Sequence, residues 1–314
     1  MAGAAVPKQL VARGTALYVA GDFGGTVRLG PTTLRATGNR NLFVAKLTDA
    51  GSQGRFEWAV QSAGPGVATN PALAVAGARV YVTAHVTDTV TLGTTAVICP
   101  PQQGRTLVAR LLDAGPSATV SWVQDLGMRE GQANCLIAAG DSLYAAGESD
   151  YYVQLRPADG FPTALQSFFI AKLKDTGAAA RLVWNTRFDG TRPTDYVYVM
   201  SLAKRGANLY LAGLLYGNGD FGSVQLHATG PTNYFVAQAH ETLAGAAFSW
   251  VQHLHSEGKV SVASNALALL ALASTGRLYL GVTLGPAATV GGRPLLAKPT
   301  VGFADYLVQF KLPQ

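Results

Sequence analysis

A Leu-Tyr or Val-Tyr pair returns five times along the chain, at Leu17-Tyr18, Val80-Tyr81, Leu143-Tyr144, Leu209-Tyr210 and Leu278-Tyr279, at intervals of 63, 63, 66 and 69 residues. A fixed period of this kind is the signature of a repeat architecture, in which each unit buries its apolar face only by stacking on the next. The interval exceeds the roughly 40–45 residues of a minimal four-stranded propeller blade, which leaves room for one further hairpin per unit.

The units share one order of elements. A strand rich in small residues comes first, as LVARG from Leu10, LAVAG from Leu73, LIAAG from Leu136, LAKRG from Leu202 and ALLALAS ending at Ser274. The Leu-Tyr strand follows a tight polar turn, and segments such as TVRLGPTTLRA from Thr26 then read as short hairpins between β-branched strands. FVAKL from Phe43, LVARL from Leu107, FIAKL from Phe169, FVAQA from Phe235 and YLVQF from Tyr306 alternate apolar and polar residues, as a strand with one buried face does. A turn leads on to a strand bearing Trp58, Trp122, Trp184 or Trp250, so all four tryptophans occupy one repeated position and serve packing. In the DAG, DAG and DTG turns at Asp49, Asp113 and Asp175, the Asp is expected to bond its own turn and the Gly to take a positive φ.

These readings predict an all-β chain. It should form one domain, a five-bladed β-propeller over 1–314 with repeats at about 7–70, 71–134, 135–199, 200–265 and 266–314. An open solenoid, with its shorter and stricter repeats, is the competing architecture. The fifth repeat ends at YLVQFKLPQ without a Trp strand, so the last blade is expected to be incomplete. Its edge at Tyr306, Val308 and Phe310 would be covered by the first residues of the chain, frayed and protected by Lys311 and Pro313, or open to a partner or a further copy.

The succession LYVAGDF, NLFVAKLTDAG and FEWAVQ resembles the bacterial β-propeller repeats called SBBP repeats, found in secreted and surface proteins, notably of the Bacteroidota. The resemblance implies a propeller and an extracellular or cell-surface setting, without a shared catalytic motif. The chain departs from that pattern in its extra hairpin and in lacking the sorting domain that often follows.

Composition narrows the function classes. Hydrophobic residues make up 48% and charged residues 13%, with 36 Gly and 15 Pro, which fits apolar strands punctuated by turns. The net charge of +6 favours an anionic partner, yet the longest basic run is Lys204-Arg205 and no stretch interleaves cations with aromatics, so no nucleic-acid partner is expected. Cys99 and Cys135 lack metal-ligand spacing and read as small apolar residues. No stretch approaches a membrane span, and MAGAAVPKQL has no apolar core for a secretion signal.

Chemistry is sought where residues break the repeat. The position just after the Leu-Tyr strand holds Asp22, His85, Glu148, Leu214 and Thr283, so three successive repeats offer an acid, an imidazole and an acid at one end, as a binding or acid-base site would need. Four of the five histidines, His227, His240, His253 and His255, lie in the fourth repeat, but its topology argues against a shared metal site. GNGDFGS from Gly217 lacks the acids of a calcium loop and reads as a hairpin. No hydrolase elbow or Walker loop occurs. The expectation is therefore no metal or cofactor and a non-catalytic extracellular binding or scaffold protein, holding a glycan, a protein or further copies of itself. A polysaccharide-acting hydrolase or lyase with its site on one propeller face is the alternative.

Overall fold

In the computed structural model the residues described are 3–49, 51–100, 103–129, 131–151, 165–189, 195–229, 232–256, 268–285, 288–294 and 304–312. Among them every regular element is a β-strand. The main sheets are antiparallel up-and-down meanders of the kind that make propeller blades.

The first sheet holds Ala4–Arg13, Ala16–Gly24, Asn41–Asp49 and Gly54–Ala63, and the second holds Val67–Ala76, Arg79–Thr87, Arg105–Asp113 and Ala118–Arg129. Gly131–Ala139, Ser142–Tyr151, Leu165–Asp175 and Ala180–Asp189 make the third. Tyr196–Arg205, Asn208–Tyr216, Thr232–Glu241 and Ala246–Ser256 make the fourth. The fifth has three strands among the described residues, Ala268–Leu272, Arg277–Leu284 and Ala304–Lys311. Ala4–Arg13 pairs along its length with Ala16–Gly24, so the chain's first strand belongs to the first sheet.

The expected extra hairpins form at Thr26–Leu29 with Thr32–Arg35, Thr89–Leu92 with Thr95–Ile98, Asn218–Asp220 with Gln225–His227, and Thr289–Val290 with Arg293–Pro294. Two of them extend the preceding sheet. Leu92 pairs with Ser62 and Val290 with Leu254, so each lies along the outer Trp strand of the repeat before it. In the third repeat the corresponding segment lies outside the described residues.

The chain divides into two compact units, Met1–Ala145 with Ala171–Val183, and Ala146–Ile170 with Trp184–Gln314. In the first unit Tyr18, Ala20, Val44 and Trp58 form one core with Leu73, Val75, Val80 and Val82. In the second, Tyr210, Ala212, Leu214 and Val236 do the same with Leu278, Leu280 and Val282. Strand alternation explains both cores. The Tyr-bearing face of one sheet packs on the face of the next sheet that carries the residues flanking its own Tyr.

A β-bulge recurs immediately before the tryptophan, where the register shifts opposite Lys46/Leu47, Arg110/Leu111 and Gln238/Ala239. The extra residue turns the indole onto the Tyr-bearing face. Tyr18, Lys46 and Trp58 consequently stand in one cross-strand row, as do Tyr81, Arg110 and Trp122. Trp58, Trp122 and Trp184 are buried, and Trp250 is half-buried.

Each row converges on the DAG-type turn of the following repeat. Asp113 accepts the Tyr18 hydroxyl at 2.6 Å and the Trp58 indole at 3.1 Å, while Lys46 Nζ lies 2.7 Å away. Asp175 accepts Tyr81 at 2.6 Å, Trp122 at 3.3 Å and Arg110 at 2.9 and 3.0 Å. Burial alone would raise both carboxyls, but these donors outweigh it and hold them below the ordinary carboxylate value. The same carboxylates bond the amides of Gly115 and Gly177, and Asp49 bonds that of Gly51, with all three glycines at positive φ. Cys99 and Cys135 are free and buried.

Candidate functional site

The polar residues that break the repeat after the Leu-Tyr strand each find a local partner, His85 and Glu148 at the start of the following sheet and Asp22 and Thr283 within their own repeats. Asp22, 2% exposed, is ion-paired with Arg40. His85 Nδ1 lies 3.2 Å from the carbonyl of Gly131, where the next repeat's first strand begins. Glu148 accepts a hydrogen bond from the Tyr196 hydroxyl, again at the first residue of the following strand. Leu214 is buried, and Thr283 donates to Asp305 at 2.6 Å. Among the described residues no three His, Cys, Asp or Glu side chains group as metal ligands.

Of these positions, Glu148 alone is joined to a cluster of aromatic polar side chains. Tyr196 pairs with Tyr216 across the fourth sheet, and Tyr198 pairs with Leu214, which pairs in turn with Tyr234. Alternation therefore places all four tyrosines on one face at one end of that sheet. The ring of Tyr196 lies 5.9 Å from that of Tyr198 and 6.2 Å from that of Tyr216. These three rings are half-buried, as is Glu148, whereas Tyr234 is fully buried and its hydroxyl finds no hydrogen-bond partner among the described residues. Burial, and next the neighbouring Tyr216, push the Tyr234 phenol up, and burial does the same to Tyr216. A buried hydroxyl without a partner is costly, and the phenol next to it is that of Tyr216.

No family model and no curated protein matches the chain. Solved structures do match. They include a Trypanosoma rangeli sialidase in complex with 2,3-difluorosialic acid, at TM-score 0.43 and 9% identity over 90% of this chain and 53% of that one. A phage phi92 endosialidase matches at TM-score 0.37 and 11% identity over 99% and 68%. The GH43 BlXynB protein of Bacillus licheniformis matches at 0.35 and 11% over 95% and 54%. The chain spans about half the length of the sialidase chains it matches. At this level of likeness no residue's role transfers. The expectation of a non-catalytic binding or scaffold protein runs against these matches, which are to structures named as sialidases and an endosialidase.

The remaining candidates resolve into local structure. His253 and His255 lie side by side with ring centres 6.1 Å apart, and His253 Nε2 is 2.8 Å from Asn233 Oδ1. His227 and His240 contact Asn218 and Asn208. GNGDFGS makes the Asn218–Asp220 hairpin, its turn tied by Gly222 N to Asp220 Oδ1 at 2.7 Å. In the fifth sheet Tyr306, Val308 and Phe310 face inward onto its core, and Asp305, Leu307, Gln309 and Lys311 alternate outward. The Tyr196 partnership was not foreseen from sequence. Three tyrosines at Tyr196, Tyr198 and Tyr216, in a repeat whose counterparts have none there, were the available signal.

Proposed function

We propose that the chain is a carbohydrate-active enzyme that hydrolyses glycosidic bonds in a polysaccharide, with Glu148 and Tyr196 as its reacting pair. The observation that carries this reading is the Tyr196 hydroxyl held on the Glu148 carboxylate beside the half-exposed rings of Tyr198 and Tyr216. A carboxylate bonded to a phenol is placed to take its proton as the phenol oxygen bonds to an anomeric carbon and the glycosidic C–O bond breaks, the departing oxygen being protonated by a water. The hydroxide so formed then displaces the tyrosyl oxygen from the anomeric carbon, and the phenolate takes its proton back from Glu148, the course of glycosidases with a tyrosine nucleophile. The tyrosine faces offer stacking surface to the apolar face of a sugar ring, and the net charge of +6 favours an anionic polymer. An extracellular or cell-surface setting belongs to the same reading, because that is where such polymers are met.

The test is reducing-end release from a panel of acidic and neutral polysaccharides. Wild-type protein should release sugar from at least one acidic polymer, and Glu148→Gln should slow release by about 10²-fold or more with the melting temperature unchanged. No release from any polymer, or an undiminished rate in Glu148→Gln, contradicts the proposal.

A further inference from the structure

The fourth repeat carries two imidazoles where the other repeats have none. The residue three beyond the tryptophan is Gln61, Asp125, Arg187 and His253 in successive repeats, and the residue five beyond it is Ala63, Gly127, Asp189 and His255. In the first two repeats the former position is tied within its own repeat. Gln61 bonds both backbone groups of Arg35 at 2.9 and 2.7 Å, and Asp125 is ion-paired with Arg105 at 3.8 Å.

His253 and His255 are two residues apart on the strand Ala246–Ser256, so both side chains leave the same face. His255 pairs with Asn233 and Leu254 with Tyr234, which sets that face opposite the one bearing the tyrosines. Both rings are half-buried, with centres 6.1 Å apart. An imidazole nitrogen sits about 2.0–2.1 Å from a zinc ion, so the centres of two rings on one ion lie within about 6.4 Å of each other. The pair meets that bound.

The protonation of the rings suits ligation. Asn233 Oδ1 accepts the Thr229 amide at 3.1 Å and lies 2.8 Å from His253 Nε2, so Nε2 donates and the lone pair of the ring is on Nδ1. Metal-ligating histidines are oriented in this way, through the N–H that does not face the ion. His255 Nδ1 is buried and has no hydrogen-bond partner among the described residues. Burial, and next the neighbouring His255, hold the His253 imidazole below its ordinary value, which keeps it neutral at neutral pH. We propose that His253 and His255 together bind a divalent transition-metal ion of the zinc class, through one nitrogen of each ring, with water completing the coordination. The site lies on the other face of the sheet from Tyr196 and stands independently of the proposed hydrolysis.

The test is titration of the full chain, free of any affinity tag, with Zn2+ in competition with a chromophoric chelator. About one equivalent should bind with a dissociation constant of about 10 µM or tighter, and His253→Ala and His255→Ala should each weaken it by about tenfold or more. His227→Ala and His240→Ala, at histidines that contact other residues, should leave it unchanged. Cu2+ added in place of Zn2+ should show coupling to two imidazole nitrogens by pulsed EPR, a readout that needs no variant. No saturable Zn2+ binding, coupling to a single imidazole, or an affinity unaltered in both His253→Ala and His255→Ala overturns the proposal.

Discussion

The unit of this structure at the residue scale is an aspartate that serves its own turn and the preceding repeat at once. Asp175 is buried and takes Tyr81, Trp122 and the buried Arg110, whose guanidinium also reaches the Gly177 carbonyl and lies over the Trp122 ring. Removing the carboxylate leaves a buried cation without its counter-charge, a loss of about 3–5 kcal/mol. Asp175→Ala should therefore lower stability in urea by about that much, whereas Asp49→Ala, at an exposed turn, should cost less than about 1 kcal/mol. Equal effects of the two variants would show that the buried socket is not what matters. The sequence displayed the local half of this arrangement, since Asp and Gly two residues apart announce a turn. Its longer-range half was hidden because Tyr81 and Asp175 are 94 residues apart. A clue lay in the row itself, where Lys46 and Arg110 precede repeats that carry the Asp and Gln238 precedes one ending in FKLPQ.

At the scale of elements, the hairpin between the second and third main strands joins neighbouring repeats in two cases, Thr89–Ile98 and Thr289–Pro294. It was legible as a hairpin from its central Gly or Pro, but its docking edge was not, because backbone pairing leaves no trace in side-chain pattern. Gly93 closes the Thr89–Ile98 hairpin at φ +63°, and a Cβ there would come within 2.7 Å of the Val120 side chain. Gly93→Ala combines a left-handed backbone with that clash, so it should destabilise by more than about 1 kcal/mol. Hydrogen exchange should rise in the outer strand Gly54–Ala63, which the hairpin covers through Ser62 and Ala63. Unchanged protection there would mean that the hairpin does not hold that edge. Three strands of the fifth sheet lie among the described residues, in a repeat whose sequence has no tryptophan.

For the whole molecule, repeat logic singled out one position per repeat, and the structure gives its residues separate local partners. Asp22, His85 and Glu148 share a place in their repeats, but Asp22 pairs with Arg40 of its own repeat, while His85 and Glu148 meet the start of the following sheet's first strand at Gly131 and Tyr196. Only Glu148 meets a phenol flanked by further phenols, because the fourth repeat begins its first strand with Tyr-Val-Tyr. The proposed hydrolysis makes the Tyr196 oxygen the atom that bonds to the sugar, and trapping that bond is the decisive experiment. The protein would be incubated with a fluorinated, slowly turned-over glycosyl fluoride of the sugar it releases, then digested and read by tandem mass spectrometry. The peptide containing Tyr196 should gain the mass of one glycosyl group, placed on Tyr196 by fragmentation and absent in Tyr196→Phe. A label on another residue, or turnover of polysaccharide with no adduct on Tyr196, would contradict the proposed chemistry.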